Sequence, residues 1–313
     1  MNQDYTPIHI TEIYKIVHTH NIPASVIELH REIDDKATYL IDNKYMLKIS
    51  TSTLEEQTKQ ARVKSIQLAP NIHASGVLSI SGREYHYVII DYVQVLELWS
   101  AAQSLTNKEK YNIGKEIAQF LNELHSLTGD CYDIGHYIPT IPCYKKSWEE
   151  GHLEYAAVLQ DGISKLDLKP SSKKAIANAF EYIHSNIHTL KNQTGARLLH
   201  NDFHPKNIIV HKGRLAGVID WECSQYGEAD FDLSHLIHWC AYPMDRENNL
   251  EIVLKSVVEN LQIASIIPDI EQRFTIYQLE HEINQLVWRG ARQEKERIPR
   301  INGWLNGKMG AYL

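Results

Sequence analysis

Residues 200–207, His-Asn-Asp-Phe-His-Pro-Lys-Asn, place a carboxylate (Asp202), a rigid proline (Pro205) and a carboxamide (Asn207) on one short stretch. A second carboxylate, Asp220, follows in Gly217-Val218-Ile219-Asp220-Trp221-Glu222. Carboxylate and carboxamide oxygens are hard donors that suit Mg²⁺, and a carboxylate facing a hydroxyl can orient it or accept its proton. Asn207 and Asp220 are therefore candidate magnesium ligands, and Asp202 is the candidate catalytic carboxylate. That is equipment for phosphoryl transfer. Between His200 and Asp232 the acids Asp202, Asp220, Glu222, Glu228, Asp230 and Asp232 outnumber Lys206, Lys212 and Arg214, an excess that a bound cation would offset.

These residues need a scaffold that brings residues 202–207 and 220 together. Ile208 to His211 and Leu215 to Asp220 are short apolar runs on either side of Lys212-Gly213, which predicts a hairpin that does so. Upstream, 26–33, 37–41, 45–49 and 85–93 read as strands of an antiparallel sheet, with a turn at Asp42-Asn43-Lys44. One helix interrupts them, Thr53 to Leu68, with Thr53 as its cap and with Pro70 and Gly76 ending it. Beyond Leu96 the period becomes helical. Thr106-Asn107-Lys108-Glu109 opens a helix to Leu127 whose apolar face is Ile113, Ile117, Phe120, Leu121 and Leu124. Further helices follow Ser147, Ser171-Ser172 and Asp232, and the pattern from Val253 to Leu286 is helical with a break at Pro268. The expectation is an α+β protein with a β-rich unit over 1–94, containing one helix, and a larger helical unit over 95–313.

The motif His-x-Asp-x-x-Pro-x-Asn followed by Ile219-Asp220-Trp221 resembles the catalytic and metal-binding loops of the aminoglycoside phosphotransferase family, relatives of the protein kinases. Leu121 to Ser126 resembles the family's helix ending in Leu-His, and Gly227 to Leu233 resembles the segment after its metal loop. The resemblance covers about residues 20 to 290. It implies a bilobal protein-kinase-like fold and ATP- and Mg²⁺-dependent transfer of the γ-phosphate to a hydroxyl of a small molecule. Asp202 would be the catalytic carboxylate, and Asn207 and Asp220 the metal ligands. Lys48 would hold the α- and β-phosphates, Asp91-Tyr92-Val93 would offer backbone to adenine, and His204 would touch the γ-phosphate. Two departures stand out. The family's glutamate partner for Lys48 falls near Ala61 or a turn earlier, where Glu55 and Glu56 are the available acids and Glu56 is preferred. The phosphate-covering loop, Ile33-Asp34-Asp35-Lys36-Ala37, contains no glycine, so Lys36 or the Ala37 backbone must compensate for two acids.

The whole-chain numbers exclude other classes. In 313 residues, 43% hydrophobic and 23% charged with a net charge of −7, there is no basic excess for a nucleic acid backbone. Four cysteines are too few and too scattered for a disulfide framework and suit a reducing compartment. No export signal and no run of roughly 20 apolar residues is visible, so a cytoplasmic protein with no membrane partner is expected. Oligomeric state is left open. His200, Asp202 and His204 also have the spacing of a hydrolase metal cluster, but Pro205 argues for a loop. For the phosphate acceptor, a polycationic aminoglycoside-like antibiotic would need acids, with Glu149, Glu150, Glu154, Asp161, Glu222, Glu228, Glu280 and Glu282 as candidates. A choline-like amino alcohol would need an aromatic cage, for which Trp221, Tyr226, Trp239, Tyr242 and Trp288 are available. The aminoglycoside-like acceptor ranks first, an amino alcohol or a sugar second. The missing glycine loop and the open partner of Lys48 also fit a nucleotide-binding protein without turnover.

Overall fold

A short turn with two left-handed residues, Asp42 (φ 47°) and Asn43 (φ 54°), joins strands that alternate apolar and polar residues, and the β-rich part of the chain is built outward from it. The computed structural model describes residues 8–33, 36–51, 63, 66–93, 96–133, 144–145, 147–242, 244, 247–262 and 267–308. It divides into two units, residues 1–96 with 216–222, and residues 97–215 with 223–313. The sequence pattern changes at 94/95, and nothing in that pattern marks 216–222 as part of the first unit.

The first unit is a five-stranded antiparallel sheet made of β1 (Ile27–Ile33), β2 (Lys36–Ile41), β3 (Tyr45–Ser50), β4 (Ile72–Ile80) and β5 (Arg83–Asp91), in the order β1-β2-β3-β5-β4. Because side chains alternate across a strand, Ala37, Tyr39, Ile41, Leu47, Ile49, Tyr87 and Ile89 share one face. They pack in one core with Ile13, Ile16 and Val17 of helix α1 (Ile10–Thr19). The opposite face carries Met46, Ile72, Val88 and Ile90, and Lys48 stands across from Val88 there.

Two elements of this unit differ from the sequence expectation. Helix α1 forms because His9 caps it, its ring accepting from the Thr11 N–H, and because Ile13, Ile16 and Val17 fall on one face. Strand β4 runs through Gly76, which the sequence pattern takes for a helix stop. Gly76 pairs with Tyr87, and any Cβ there would lie 2.7 Å from the Tyr87 hydroxyl, so glycine is required by a ring lying over the strand. The helix expected over Thr53 to Leu68 falls mostly outside the described residues, as do Glu55 and Glu56. The returning segment joins this unit through the Val218 N–H, which donates to the Leu68 carbonyl at 2.8 Å.

The second unit is mainly helical: α2 (Leu98–Ala101), α3 (Asn107–Leu124), α4 (Trp148–Ser164), α5 (Pro170–Asn186), α6 (Phe231–Cys240), α7 (Glu251–Asn260), α8 (Ile270–Arg289) and α9 (Glu294–Leu305). Short strands punctuate the chain: β6 (Leu96–Glu97), β7 (Tyr132–Asp133), β8 (Tyr144–Lys145), β9 (Arg197–Leu199), β10 (Ile208–His211), β11 (Arg214–Val218) and β12 (Gln225–Gly227). The expected capping box is present, with the Thr106 N–H donating to Glu109 at 2.8 Å and the Glu109 N–H to Thr106 at 3.3 Å. Helix α5 starts one residue before the serines, with Pro170 in its first turn. Helix α8 is the central one, touching α4, α5, α6 and α9, and it buries Phe274, Ile276, Leu279, Ile283 and Leu286.

Helices α3 and α7 meet at Gly114, where an added Cβ would lie 2.6 Å from the Ser256 Cβ and 2.6 Å from the Val253 carbonyl oxygen. Helix propensity favours alanine over glycine by about 1 kcal/mol, but a backbone oxygen cannot move aside without separating the two helices. Gly114→Ala is therefore expected to destabilise the protein by about 1–3 kcal/mol in urea denaturation. A gain in stability would show that the two helices are not in contact at this point.

Candidate active site

Strands β9 and β12 pair antiparallel, Leu199 opposite Gln225, so the chain enters 200–207 from a fixed position. The loop is anchored by Asp232 in the first turn of α6. One of its oxygens accepts from the His200 N–H at 3.0 Å and from the His125 ring at 3.1 Å, and the other accepts from the Asn201 N–H at 2.8 Å. Asp232 is fully buried, which by itself would raise its pKa. The hydrogen bond and charge of His125, the charge of His200 and the Asn201 N–H outweigh burial and hold it below the ordinary carboxylate value. Asp232 thus braces the loop through two consecutive backbone N–H groups. His125 and His200 are buried beside it.

Asn201 is left-handed (φ 64°) and ties the loop to its surroundings, donating to the Cys223 carbonyl at 3.0 Å and accepting from Gln225 at 3.2 Å. Asp202 then projects with its side chain partly open to solvent. The Asn207 amide nitrogen donates to the Asp202 carbonyl at 2.9 Å and to its carboxylate at 3.1 Å. His204 Nε2 lies 3.5 Å from one carboxylate oxygen, and His235 Nδ1 lies 4.0 Å from the other. Burial opposes ionisation of Asp202, but His204, His235 and His200 more than reverse this and leave its pKa well below the usual range. The His204 ring lies against Trp239, centroids 4.8 Å apart, and the Lys206 ammonium sits 5.2 Å from the centre of the same indole.

The other expected residues lie in the first unit. Lys48 Nζ is 3.2 Å from Asp220 Oδ1, with both side chains partly exposed. Asp220 is left-handed (φ 68°) and precedes the buried Trp221, whose indole N–H donates to the Val218 carbonyl at 2.9 Å. Lys36 meets Glu222 at 3.2 Å. Asp91 ends β5 and is fastened by Asn71, whose N–H and side-chain amide donate to it at 3.0 and 2.7 Å, and by His73 at 2.6 Å. Burial would raise the Asp91 pKa, but these hydrogen bonds lower it. The Asp91 N–H donates to the Asn71 carbonyl and that of Tyr92 to the Lys44 carbonyl, while Val93 lies beside Gly217. Asp34, Asp35 and Glu56 are outside the described residues.

Next to Asp202, between α4, α6 and α8, opens a small cavity of about 30 Å³ lined by Tyr155, Phe231, Ser234, His235, His238, Trp239, Tyr277, Gln278, Glu280, His281 and Asn284. Burial drives the pKa of His235, His238 and His281 downward, that of His238 to about 3. The sequence reading missed these histidines. The three- and four-residue spacing of residues 277, 281 and 284 on one helix, with 235 and 238–239 on another, is the trace they leave, and it resembles an ordinary core face. Of the candidate acids, only Glu280 faces the cavity; of the candidate cage aromatics, only Trp239 does.

Residues 28–250 match the profile of the phosphotransferase enzyme family, called APH. The chain belongs to this family. No curated protein matches it by sequence. Among solved structures it is similar to aminoglycoside phosphotransferase APH(2'')-Ib with ADP bound: 21% identity, TM-score 0.65, covering 94% of this chain and 97% of that one. The streptomycin–ATP complex of APH(2'')-IIa gives 20% identity and a TM-score of 0.66, with 98% and 100% coverage. A thermostable APH(4)-Ia mutant with ADP and hygromycin B gives 13% identity and a TM-score of 0.68, with 95% and 97% coverage. At these identities the structural likeness establishes the protein-kinase-like fold.

For this phosphotransferase the donor chemistry suits magnesium. Asn207 uses its amide nitrogen on Asp202, which leaves the amide oxygen to act as a ligand, and Asp220 offers a partly exposed carboxylate. The rival cluster does not form: among the described residues no group of three or more histidine, cysteine or acidic side chains could hold a metal ion. No helix among them is long and apolar enough to cross a membrane.

Removing the anchor tests this geometry. Asp232→Ala leaves two buried backbone N–H groups without an acceptor and should cost about 3 kcal/mol or more in chemical denaturation. Because the folded pKa of Asp232 lies below its unfolded value, the wild type should keep this contribution above pH ~4. It should lose it as the pH falls through the lowered value, while the variant's stability changes less over the same range. Parallel pH profiles for the two proteins would contradict the assignment.

Proposed function

We propose that this family member transfers the γ-phosphate of ATP, with Mg²⁺, to a hydroxyl of a small molecule, an aminoglycoside-like antibiotic being the first choice of acceptor and an amino alcohol or sugar the second. The observation that carries the reading is the state of Asp202. Its carboxylate is held by the Asn207 amide and flanked by His204 and His235, which keep its pKa well below the usual range, and His235 joins it to the cavity lined by α4, α6 and α8. The structural neighbours solved with streptomycin and with hygromycin B support the choice of acceptor.

Asp202 would accept a hydrogen bond from the acceptor hydroxyl, orient its oxygen toward the γ-phosphorus and take its proton as the new oxygen–phosphorus bond forms and the bond from phosphorus to the β,γ-bridging oxygen breaks, releasing ADP. His204, one imidazole away from the carboxylate, would contribute charge to the γ-phosphate when protonated. Lys48 would neutralise α- and β-phosphate oxygens, with Lys36 close by on the next strand, and the chain at Asp91 to Val93 would border the adenine. Glu56 stands as the proposed partner of Lys48. Asn207 and Asp220 would hold the magnesium, whose bound form offsets the charge of the triphosphate. The pinning of Asp202 favours an active enzyme over a nucleotide-binding protein without turnover, because a binding module has no use for an oriented base.

Two variants separate the roles. Asp202→Ala should lower kcat by roughly 10²–10⁴ while leaving nucleotide affinity nearly unchanged, and Asp220→Ala should abolish the Mg²⁺-dependent part of nucleotide binding. Measured by ADP release and calorimetric nucleotide titration, an equal loss of ATP affinity in both variants would refute the division of labour.

A further inference from the structure

Helix α6 carries Asp232, His235 and Trp239 at spacings of three and four, so all three stand on one face. That face follows residues 200–207 step by step. Asp232 takes the His200 and Asn201 N–H groups, and His235 Nδ1 stands 4.0 Å from Asp202 Oδ1. Trp239, about 10 Å along the helix axis from Asp232, meets the far end of the same stretch. Its indole lies against the His204 ring, with centroids 4.8 Å apart and planes at 39°, and the Lys206 ammonium sits 5.2 Å from its centre.

A second tryptophan closes this end. Trp99 of α2 packs edge-on against Trp239, 5.6 Å between centroids and 88° between planes, and its N–H donates to the Pro205 carbonyl at 3.1 Å. The two tryptophans therefore touch His204, Pro205 and Lys206 in turn. An indole face attracts a cation, and aromatic rings favour edge-to-face packing. Here the cation over the indole is the chain's own Lys206 and the edge-on ring is its own Trp99.

What this clamp fixes is the direction of one imidazole. His204 Nδ1 accepts from the Lys206 N–H at 3.3 Å, so the ring hydrogen belongs on Nε2, which lies 3.5 Å from Asp202 Oδ2. A single hydrogen bond leaves a ring free to tilt, and packing against a neighbour removes that freedom. Accepting the reading that Asp202 orients the acceptor hydroxyl, we infer that Trp239 is a positioning residue for the reaction. It holds the His204 imidazole on the Asp202 carboxylate, with Trp99 and Lys206 securing the indole.

The test reads ADP release by the intact protein with whichever of an aminoglycoside, an amino alcohol or a sugar turns over. Trp239→Leu should lower kcat about tenfold or more with the ATP KM within about twofold, and Trp239→Phe, which keeps an aromatic face, should recover most of the loss. In a His204→Ala background Trp239→Leu should change kcat by less than about twofold, because the group it positions is gone. An unchanged kcat in folded Trp239→Leu, a loss carried by KM, or the full loss persisting without His204 would overturn the inference. NMR gives a reading that needs no turnover. The His204 ring protons, identified by their disappearance in His204→Ala, should be displaced by the indole ring current and return toward ordinary positions in Trp239→Leu. If that variant loses its cooperative melt, or turnover is too slow to measure, the wild-type and Trp239→Phe spectra decide. His204 protons with no ring-current displacement and no cross-relaxation from the indole would overturn the inference. A wild type that turns over no acceptor would sink the phosphotransfer reading, while the spectra still report whether the indole holds the imidazole.

Discussion

A buried charge survives in a protein interior only when donors surround it, and the loop over residues 200–207 depends on one such charge. Asp232 receives two consecutive backbone N–H groups and an imidazole, so the path of the chain at His200 and Asn201 is set by electrostatics that water cannot screen. Everything downstream inherits that position. Phe203 stacks on Phe120 with centroids 5.8 Å apart, and the Pro205 carbonyl accepts from the Trp99 N–H at 3.1 Å. Asn207 then folds back onto Asp202. The loop presents the partly open carboxylate of Asp202 from a position fixed by a second carboxylate, thirty positions along the chain, that is closed off completely.

Much of this was legible in the sequence, and for physical reasons. Fixed residue types at fixed spacing around Pro205 pointed to the loop, Lys212-Gly213 marked the hairpin, and the Thr106–Glu109 box marked the start of α3, because each is a local constraint written in adjacent residues. Helix α1 and strand β4 were not legible. Strand β4 alternates inward and exposed positions, but small Ala74 and Gly76 occupy its inward face and Val77 its exposed one, which weakens the apolar signal, and Gly76 looks like punctuation until Tyr87 is seen lying over it. The return of residues 216–222 to the first unit is a tertiary fact with no local signature.

The acceptor side shows a different limit. Residue type alone cannot tell an acid that faces a ligand from one already satisfied. Glu228 and Glu282 have the same composition signal as a binding carboxylate, yet Arg273 and Arg297 claim them from positions distant in sequence. Trp221 and Trp304 are likewise core residues with negligible exposure. The histidines of α6 and α8 are the converse case: dispersed in the sequence, they gather beside Asp202 only once the helices pack.

The two positive dihedrals at Asn201 and Asp220 limit how this chain can vary over generations. Left-handed backbone is strained for any side chain with a branched or bulky Cβ and tolerable mainly for asparagine, aspartate and glycine. A library randomised at either position should therefore return that narrow alphabet even under selection for folding alone. Within it only an oxygen-bearing side chain keeps the contacts of Asn201 or the pairing of Asp220 with Lys48, so backbone shape and chemistry restrict these positions independently.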